Sequence, residues 1–390
     1  MSPSAGRQPA TLLVQPSMAA GVSQDAPPCV SVIISFQNEA RFLREAIDSV
    51  IRQSLSDWEL ILIDDGSTDG SSDLAASYAA DHSGRIRYLD HPGHANLGIS
   101  ASRNLGIRQA RGIYVAFLDG DDVYLPERLA RHVAIFESVP GVDMVQSDQI
   151  HWHSWQPAGA RDEDDYVRPC VCCTDRILRR PAALWSATAM PELFPGIRSL
   201  TVRRSVAMAV GGFEDSFQSL FDDQVFFTKL CAHSTVYVIE DYLALYRVHA
   251  ESTMGRLRRS EYVAGGVWQR QTAAFYAWRE KYLASLPNEG GVMEMIIAES
   301  RQQHATGLRR RVRLAAAAAR RGIRDLLERV LPAQAYRMVL VRRRRLAARQ
   351  TLVRYRRLCE RMGRVAADSA TGDRRRQTRD SMHVAAGNGR

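Results

Sequence analysis

The chain has 390 residues, 45% hydrophobic and 24% charged, which suits a protein with a full buried core and excludes a disordered polymer. Its net charge of +9 is lopsided: Thr306 to Arg390 holds 24 arginines, no lysine and 6 acidic residues, a surplus of +18 that leaves the remainder at −9. The 6 irregularly spaced cysteines exclude a disulfide scaffold, no apolar run reaches about 18 residues, and the Ser/Ala/Pro/Gln-rich start lacks the layout of a secretory signal, so a cytosolic setting is expected.

Val30 to Phe36 is a β-branched run of the kind buried on both faces of a sheet. Ala40, Leu43, Ala46, Ile47, Val50 and Ile51 follow at helical spacing. Trp58 to Ile63 predicts a second strand, stopped by Asp64-Asp65-Gly66-Ser67, and Ser71 to Ala80 a helix. Ile86 to Leu89 reads as a strand, Ser100 to Ala110 as a helix, and Ile113 to Leu118 as a strand. Pro126 to Glu137 is a helix opened by proline, and Val142 to Ser147 closes the series. This alternation predicts a mostly parallel sheet with helices on both faces.

From His151 to Pro195 the pattern loosens into an excursion across the sheet, where specificity is expected to lie. Leu200 to Arg203, Val236 to Ile239 and Leu243 to Tyr246 read as strands. Ser205 to Val210 and Phe221 to Leu230 read as helices. The expected layout is a disordered segment 1–28, an α/β domain 29–255 and a helical extension 256–305. A basic amphipathic region 306–365 and a disordered tail 366–390 complete it.

Acidic residues stop three of the strands. Glu39 follows the first, Asp64-Asp65 the second, and Asp119-Gly120-Asp121-Asp122 the fourth. Parallel strands point their carboxyl ends one way, so these acids should gather on one sheet edge, where open α/β sheets bind ligands. Carboxylates this crowded repel, and a hard divalent cation among them relieves that. A further pair, Asp222-Asp223, opens a later helix.

Six short motifs then accumulate in order: Ser35-Phe36-Gln37-Asn38-Glu39, Ile63-Asp64-Asp65-Gly66-Ser67-Thr68-Asp69, Ser102-Arg103-Asn104-Leu105-Gly106-Ile107, Phe117-Leu118-Asp119-Gly120-Asp121-Asp122, Gly211-Gly212-Phe213 and Tyr246-Arg247-Val248-His249. With them the stretch from about Val30 to Met254 resembles the family 2 glycosyltransferases of the GT-A fold. That resemblance implies an inverting transferase moving a sugar from a nucleotide-diphosphate sugar, UDP-linked by expectation, to a carbohydrate or lipid-linked acceptor in bacterial surface polysaccharide or glycoconjugate assembly.

It implies roles as well. Asp65 would read the base, with Phe36, Glu39 and Asp64 in the same donor pocket, and Asp119 would sit on the ribose side. Asp121 would hold Mg²⁺ or Mn²⁺, with Asp122 as the second choice and His249 completing the site. Arg103 would add a cationic donor to the diphosphate. The acceptor's proton would pass to Asp223, with Asp222 beside it; the family usually has Glu before that Asp, so the division of roles is open here.

Other signals compete. A nucleotidyltransferase also uses acidic pairs and a metal, but carries a Gly-rich basic loop after its first strand, unlike Gln37-Asn38-Glu39-Ala40. An inactive nucleotide-sugar-binding scaffold docked to a membrane is the non-enzymatic alternative. Adjacent Cys172 and Cys173 would point apart on a strand, so at most part of the set with Cys170 converges, and the three read as buried thiols in preference to a zinc site. Trp152, Trp155 and Trp185 suit core packing or a sugar platform. The arginine-rich region suits an anionic membrane surface at the inner face of the cell membrane or a solvated extension; nucleic acid is disfavoured because stacking aromatics are sparse.

Overall fold

The computed structural model describes residues 27–156, 165–167, 176–189, 196–218, 220–258, 266–288, 291, 293–298 and 300–302. The expectations for 1–26, for the basic region 306–365, for the tail 366–390 and for Cys170, Cys172 and Cys173 fall outside these residues.

Among the described residues, ten strands form one sheet. They are β1 (Val30–Phe36), β2 (Trp58–Asp64), β3 (Ile86–Asp90), β4 (Tyr114–Asp119), β5 (Val123–Tyr124), β6 (Met144–Trp152), β7 (Tyr166–Val167), β8 (Arg176–Leu178), β9 (Leu200–Arg203) and β10 (Val236–Arg247). The main path runs β3-β2-β1-β4-β9-β6-β10-β5, with β7 beside β6 and β8 beside β10. The helices are α1 (Leu43–Ile51), α2 (Ser71–Asp81), α3 (Ile99–Gln109), α4 (Arg128–Ser138), α5 (Ala182–Ala189), α6 (Arg204–Ala209), α7 (Asp222–His233), α8 (Thr253–Arg258) and α9 (Val267–Ser285).

β1 sits centrally because every one of its side chains is buried, as the β-branched run demands. Side chains alternate across the sheet and split the core in two. Ile33, Ile61, Ile63, Val115 and Phe117 face one apolar layer with Ile107 of α3, Ala183 of α5 and Phe226 of α7. Val32, Ile34, Leu60, Leu62, Ala116 and Leu118 face the other, with Leu43 and Ile47 of α1 and Leu129 of α4. Each such aliphatic side chain contributes about 1.5–3 kcal/mol when fully buried.

Two features depart from the pattern read along the chain. β9 runs antiparallel to both β4 and β6 and separates them, so the parallel array β3-β2-β1-β4 ends at an antiparallel insert. The two short strands expected at Val236–Ile239 and Leu243–Tyr246 are one strand, β10, whose pairing with β6 slips twice between Val238 and Ala244. A bulge of this kind breaks apolar alternation and mimics a gap. α9 packs against the body: Phe275 joins Phe217 and Val225 in a small cluster, and Leu283 joins the larger layer. Among the described residues no helix is long and apolar enough to cross a membrane.

Candidate active site

Strand register brings the acids together. Phe36 pairs with Asp64, and Ser35 with Asp119, so β1, β2 and β4 end level with one another. Chain order reverses here, with β2 and β3 on one side of β1 and β4 on the other, the position where open sheets form a binding crevice. A cleft of about 790 Å³ opens over this edge, and Asp65, Asp121 and Asp223 all line it. Phe36, Glu39, Arg103, Asp119, Asp222 and His249 line the same cleft.

The loop after β2 is built by one glycine. Gly66 has φ +74°, and a Cβ there would lie 2.9 Å from both the Asn96 nitrogen and the His94 oxygen, so only glycine admits the neighbouring segment. Asp65 then accepts hydrogen bonds on Oδ1 from the backbone N–H groups of Leu97 (2.8 Å) and Gly98 (3.0 Å). The Asp64 carboxylate turns into its own loop instead, accepting from Ser67 N–H (2.8 Å), Ser72 Oγ and the Tyr88 hydroxyl (3.1 Å). Asp64 braces the turn that presents Asp65, and it is fully buried.

Glu39 reaches over the end of β4. A Cβ on Gly120 would come within 2.0 Å of Glu39 Oε2, so the carboxyl occupies the space that glycine leaves. That oxygen is buried with no hydrogen-bond partner among the described residues. Burial first, and then the charges of Asp121, Asp119, Asp122 and Asp69, push the Glu39 carboxyl well above its ordinary range. It is an acid that favours keeping its proton.

The three acids after β4 have different fates. Their oxygens lie within 4.8 Å of one another. Asp119 is clamped by two guanidiniums, Arg103 at 2.6 Å and Arg198 at 2.8 Å. Burial would raise its carboxyl, but those two cations outweigh it and hold the group below the usual range. Asp122 is fully buried, ion-paired to Arg198 Nε and accepting from Arg247 N–H (2.8 Å). Asp121 alone pairs with an imidazole: its Oδ2 lies 2.9 Å from His249 Nε2. The His249 ring rests on Phe42 with centroids 4.7 Å apart, and its Nδ1 is buried without a partner among the described residues.

Arg103 uses both terminal nitrogens on carboxylates, Asp119 and Asp222, and thereby ties the start of α7 to the end of β4. Asp223, next in line, accepts from the N–H of Gln224 (2.7 Å). Burial, then the adjacent Asp222, push the Asp223 carboxyl from 3.8 up to about 7. A carboxylate that takes up a proton near neutrality is suited to general-base work.

Arg198 was not singled out in the sequence, yet it holds the cluster together. It contacts Asp119, Asp122 and Gln149 Oε1 (2.9 Å), and lies over the Tyr246 ring at 4.4 Å. Arg128, fully buried, donates to Thr201 Oγ1 (2.9 Å) and to the backbone oxygens of Arg198 (3.2 Å) and Leu200 (2.8 Å), fixing the segment that carries it. The three tryptophans divide: Trp185 is buried in the core on α5, whereas Arg247 lies over Trp152 (4.5 Å) and Trp155 (5.3 Å) beside the His249 ring.

Comparisons with known proteins agree with this architecture. Residues 31–182 match the family model described as Glycosyl transferase family 2. The chain is 40% identical over 193 residues to the putative glycosyltransferase EpsE of Bacillus subtilis, covering 49% of this chain and 69% of that protein. It is 47% identical over 95 residues to the uncharacterized glycosyltransferase EpsJ of the same organism, but covers only 26% of it. Among solved structures, Staphylococcus aureus TarS 1-349 in complex with UDP-GlcNAc aligns with a TM-score of 0.54 at 18% identity, over 71% of this chain and 73% of that one. The mannosyltransferase PcManGT of Pyrobaculum calidifontis, in complex with GDP-Man and Mn²⁺, aligns with a TM-score of 0.50 at 19% identity, over 76% of both chains. Those two likenesses concern the fold, which is of the GT-A kind. With its acids level at one sheet edge and a curated relative matched over most of that relative's length, this chain belongs to glycosyl transferase family 2 and is a glycosyltransferase.

Proposed function

We propose that the chain transfers a sugar, with inversion, from a UDP-linked donor to a hydroxyl of a carbohydrate or lipid-linked acceptor during bacterial surface glycoconjugate assembly. The catalytic unit is the 29–255 domain. The observation that carries this reading is that Asp65, Asp121 and Asp223, distant in sequence, line one cleft.

The sheet supplies a ruler. Neighbouring strands lie about 4.8 Å apart, so the ends of β2 and β4, with β1 between them, are roughly 10 Å apart. That span suits a nucleoside whose base meets Asp65 and whose diphosphate meets Asp121. The free Asp65 oxygen is the acceptor for a pyrimidine N–H, because Oδ1 already takes two backbone donors. Phe36, at the end of β1, and Glu39, which reaches toward β4, complete the donor pocket, and Asp119, fixed by its arginines, faces the ribose.

The donor set at Asp121 and His249 fits Mg²⁺ or Mn²⁺: one hard carboxylate and one imidazole, with room for phosphate oxygens. Asp122 is the weaker choice of ligand because both its oxygens are engaged. When bound, the ion supplies positive charge beside the leaving diphosphate. Arg103 acts mainly by holding Asp222, and through it the start of α7, at a fixed place relative to Asp119. Asp223 takes the proton from the acceptor hydroxyl as that oxygen bonds to C1 and the C1–O bond to the diphosphate breaks. The electron pair leaves with the nucleotide. Attack from the face opposite the leaving group inverts C1.

A thermal-shift panel of UDP-, GDP- and dTDP-sugars, each with Mn²⁺ and with EDTA, tests the reading. A ligand that binds only the native state raises its apparent stability. Stabilisation by a UDP-sugar that vanishes in EDTA is expected. No metal-dependent shift with any donor would overturn it.

A further inference from the structure

Several residues that line the cleft have no part in the roles assigned above. Leu220, Phe221, Met254 and Trp268 line it, with the side-chain amides of Gln218 and Gln224. Phe221 has φ 65° and ψ 0°, the left-handed region that a bulky aromatic rarely adopts and that gathers at functional sites. It directly precedes Asp222-Asp223. Its ring stacks on Phe275 (centroids 4.7 Å apart, planes at 8°), and Phe275 is buried at 1% exposure in the core formed with Phe217 and Val225. Trp268, at the start of α9, lies tilted against Phe221 with centroids 5.5 Å apart. Both Phe221 and Trp268 are half-buried. The Phe221 ring is thus held from behind by the core, the Trp268 ring lies against it, and both residues line the cleft.

We infer that Phe221 and Trp268 form the acceptor subsite, a platform for the apolar face of a pyranose whose hydroxyl is presented to Asp223. The inference rests on the assignment of Asp223 as the base and names the class of its substrate. The C–H face of a pyranose is apolar and its rim is hydroxylated, so it is recognised by aromatic faces flanked by amides. Gln218 and Gln224 supply those amides, and neither side chain makes a hydrogen bond among the described residues. A purely apolar tail would bury these amides without partners, which is unfavourable. The donor's nucleotide lies along β2 to β4, whereas this platform is continuous in sequence with Asp223 itself. Phe221 and Trp268 lie beyond the residues 31–182 matched by the family model.

Saturation-transfer NMR on the full chain tests this, with UDP and Mg²⁺ present and octyl β-D-glucopyranoside and a set of methyl pyranosides as probes. UDP affinity is measured by calorimetry on the same samples. Saturation of pyranose ring protons is expected for at least one probe. Trp268→Ala should weaken that probe about fivefold, the loss of one aromatic stacking contact, while Trp268→Phe retains most of the effect. Unchanged UDP affinity in both variants establishes an intact cleft; should Trp268→Ala not fold, Trp268→Leu replaces it with the same expected loss. UDP bound with no sugar saturation, or saturation undiminished in the variants, overturns the subsite. Saturation confined to the octyl chain overturns it in favour of an apolar acceptor. Sugar saturation without UDP binding retains the platform and overturns the donor assignment instead.

Discussion

Asp223→Asn exchanges activity for stability, and the size of that exchange follows from the site. Burial and the neighbouring Asp222 raise the Asp223 carboxyl from 3.8 to about 7. In the unfolded chain it ionises near its ordinary value. Below that value both states hold the proton and the site makes no difference to stability. Between the two values the unfolded chain releases a proton that the native state keeps, so native stability falls as pH rises. Above about 7 the native carboxylate is charged, and the full penalty stands at about 4 kcal/mol. Relaxation of the Asp222–Arg103 pair makes this an upper figure. Asparagine has no such charge. Asp223→Asn is therefore expected to be more stable than the native sequence at pH 8, by about 1–4 kcal/mol, and equal to it near pH 3. Transfer should fall about 10²–10⁴-fold, and the native rate should rise with pH up to about 7 as the base ionises. Urea unfolding at both pH values, beside initial rates from pH 5 to 8, measures all of this. A variant destabilised at pH 8, or a native rate flat across that range, would refute the reasoning.

Arg103→Met removes the cation shared by Asp119 and Asp222, leaving Asp119 with Arg198 alone and the buried Asp222 uncompensated; a loss of about 3–5 kcal/mol is expected in chemical unfolding. Gly120→Ala places a Cβ within 2.0 Å of Glu39 Oε2 and 3.0 Å of Phe36 Cβ, so Glu39 must move; calorimetry should find UDP-sugar affinity reduced with the melting temperature little changed. His249→Ala should weaken Mn²⁺ binding about tenfold or more in a titration of the UDP complex, since it removes one ligand and leaves Asp121 without its partner. Gly106→Ala meets Ile33 Cγ2 at 2.5 Å, where helix α3 lies against the central strand, and should cost about 1–3 kcal/mol without altering donor affinity.

What was legible in the sequence is local. The β-branched strands and their acidic stops declare themselves within a few residues, and parallel pairing then places Asp64 beside Phe36 and Asp119 beside Ser35. The antiparallel β9 was not legible as an insert, because its partners on β4 and β6 lie far away along the chain. Arg198 escaped notice for the same reason. Its contact with Asp122 spans 76 residues and that of Arg103 with Asp222 spans 119. Crowded carboxylates implied compensating positive charge, and the sequence reading supplied it all as a metal ion. In the fold, guanidiniums neutralise Asp119 and Asp122, and only Asp121 is paired with a histidine. Asp64 and Asp65 look equivalent as a dipeptide, yet successive side chains at a strand end point apart, so one braces the loop and the other faces the cleft.

The most direct measurement follows the anomeric proton of a UDP-α-linked sugar, the one that stabilises the protein most, by NMR during its first turnovers with acceptor or with water. The account predicts a β-configured product, formed only with Mg²⁺ or Mn²⁺ present and lost in Asp223→Asn. An α-configured product, or a β product formed at the native rate by that variant, would contradict it.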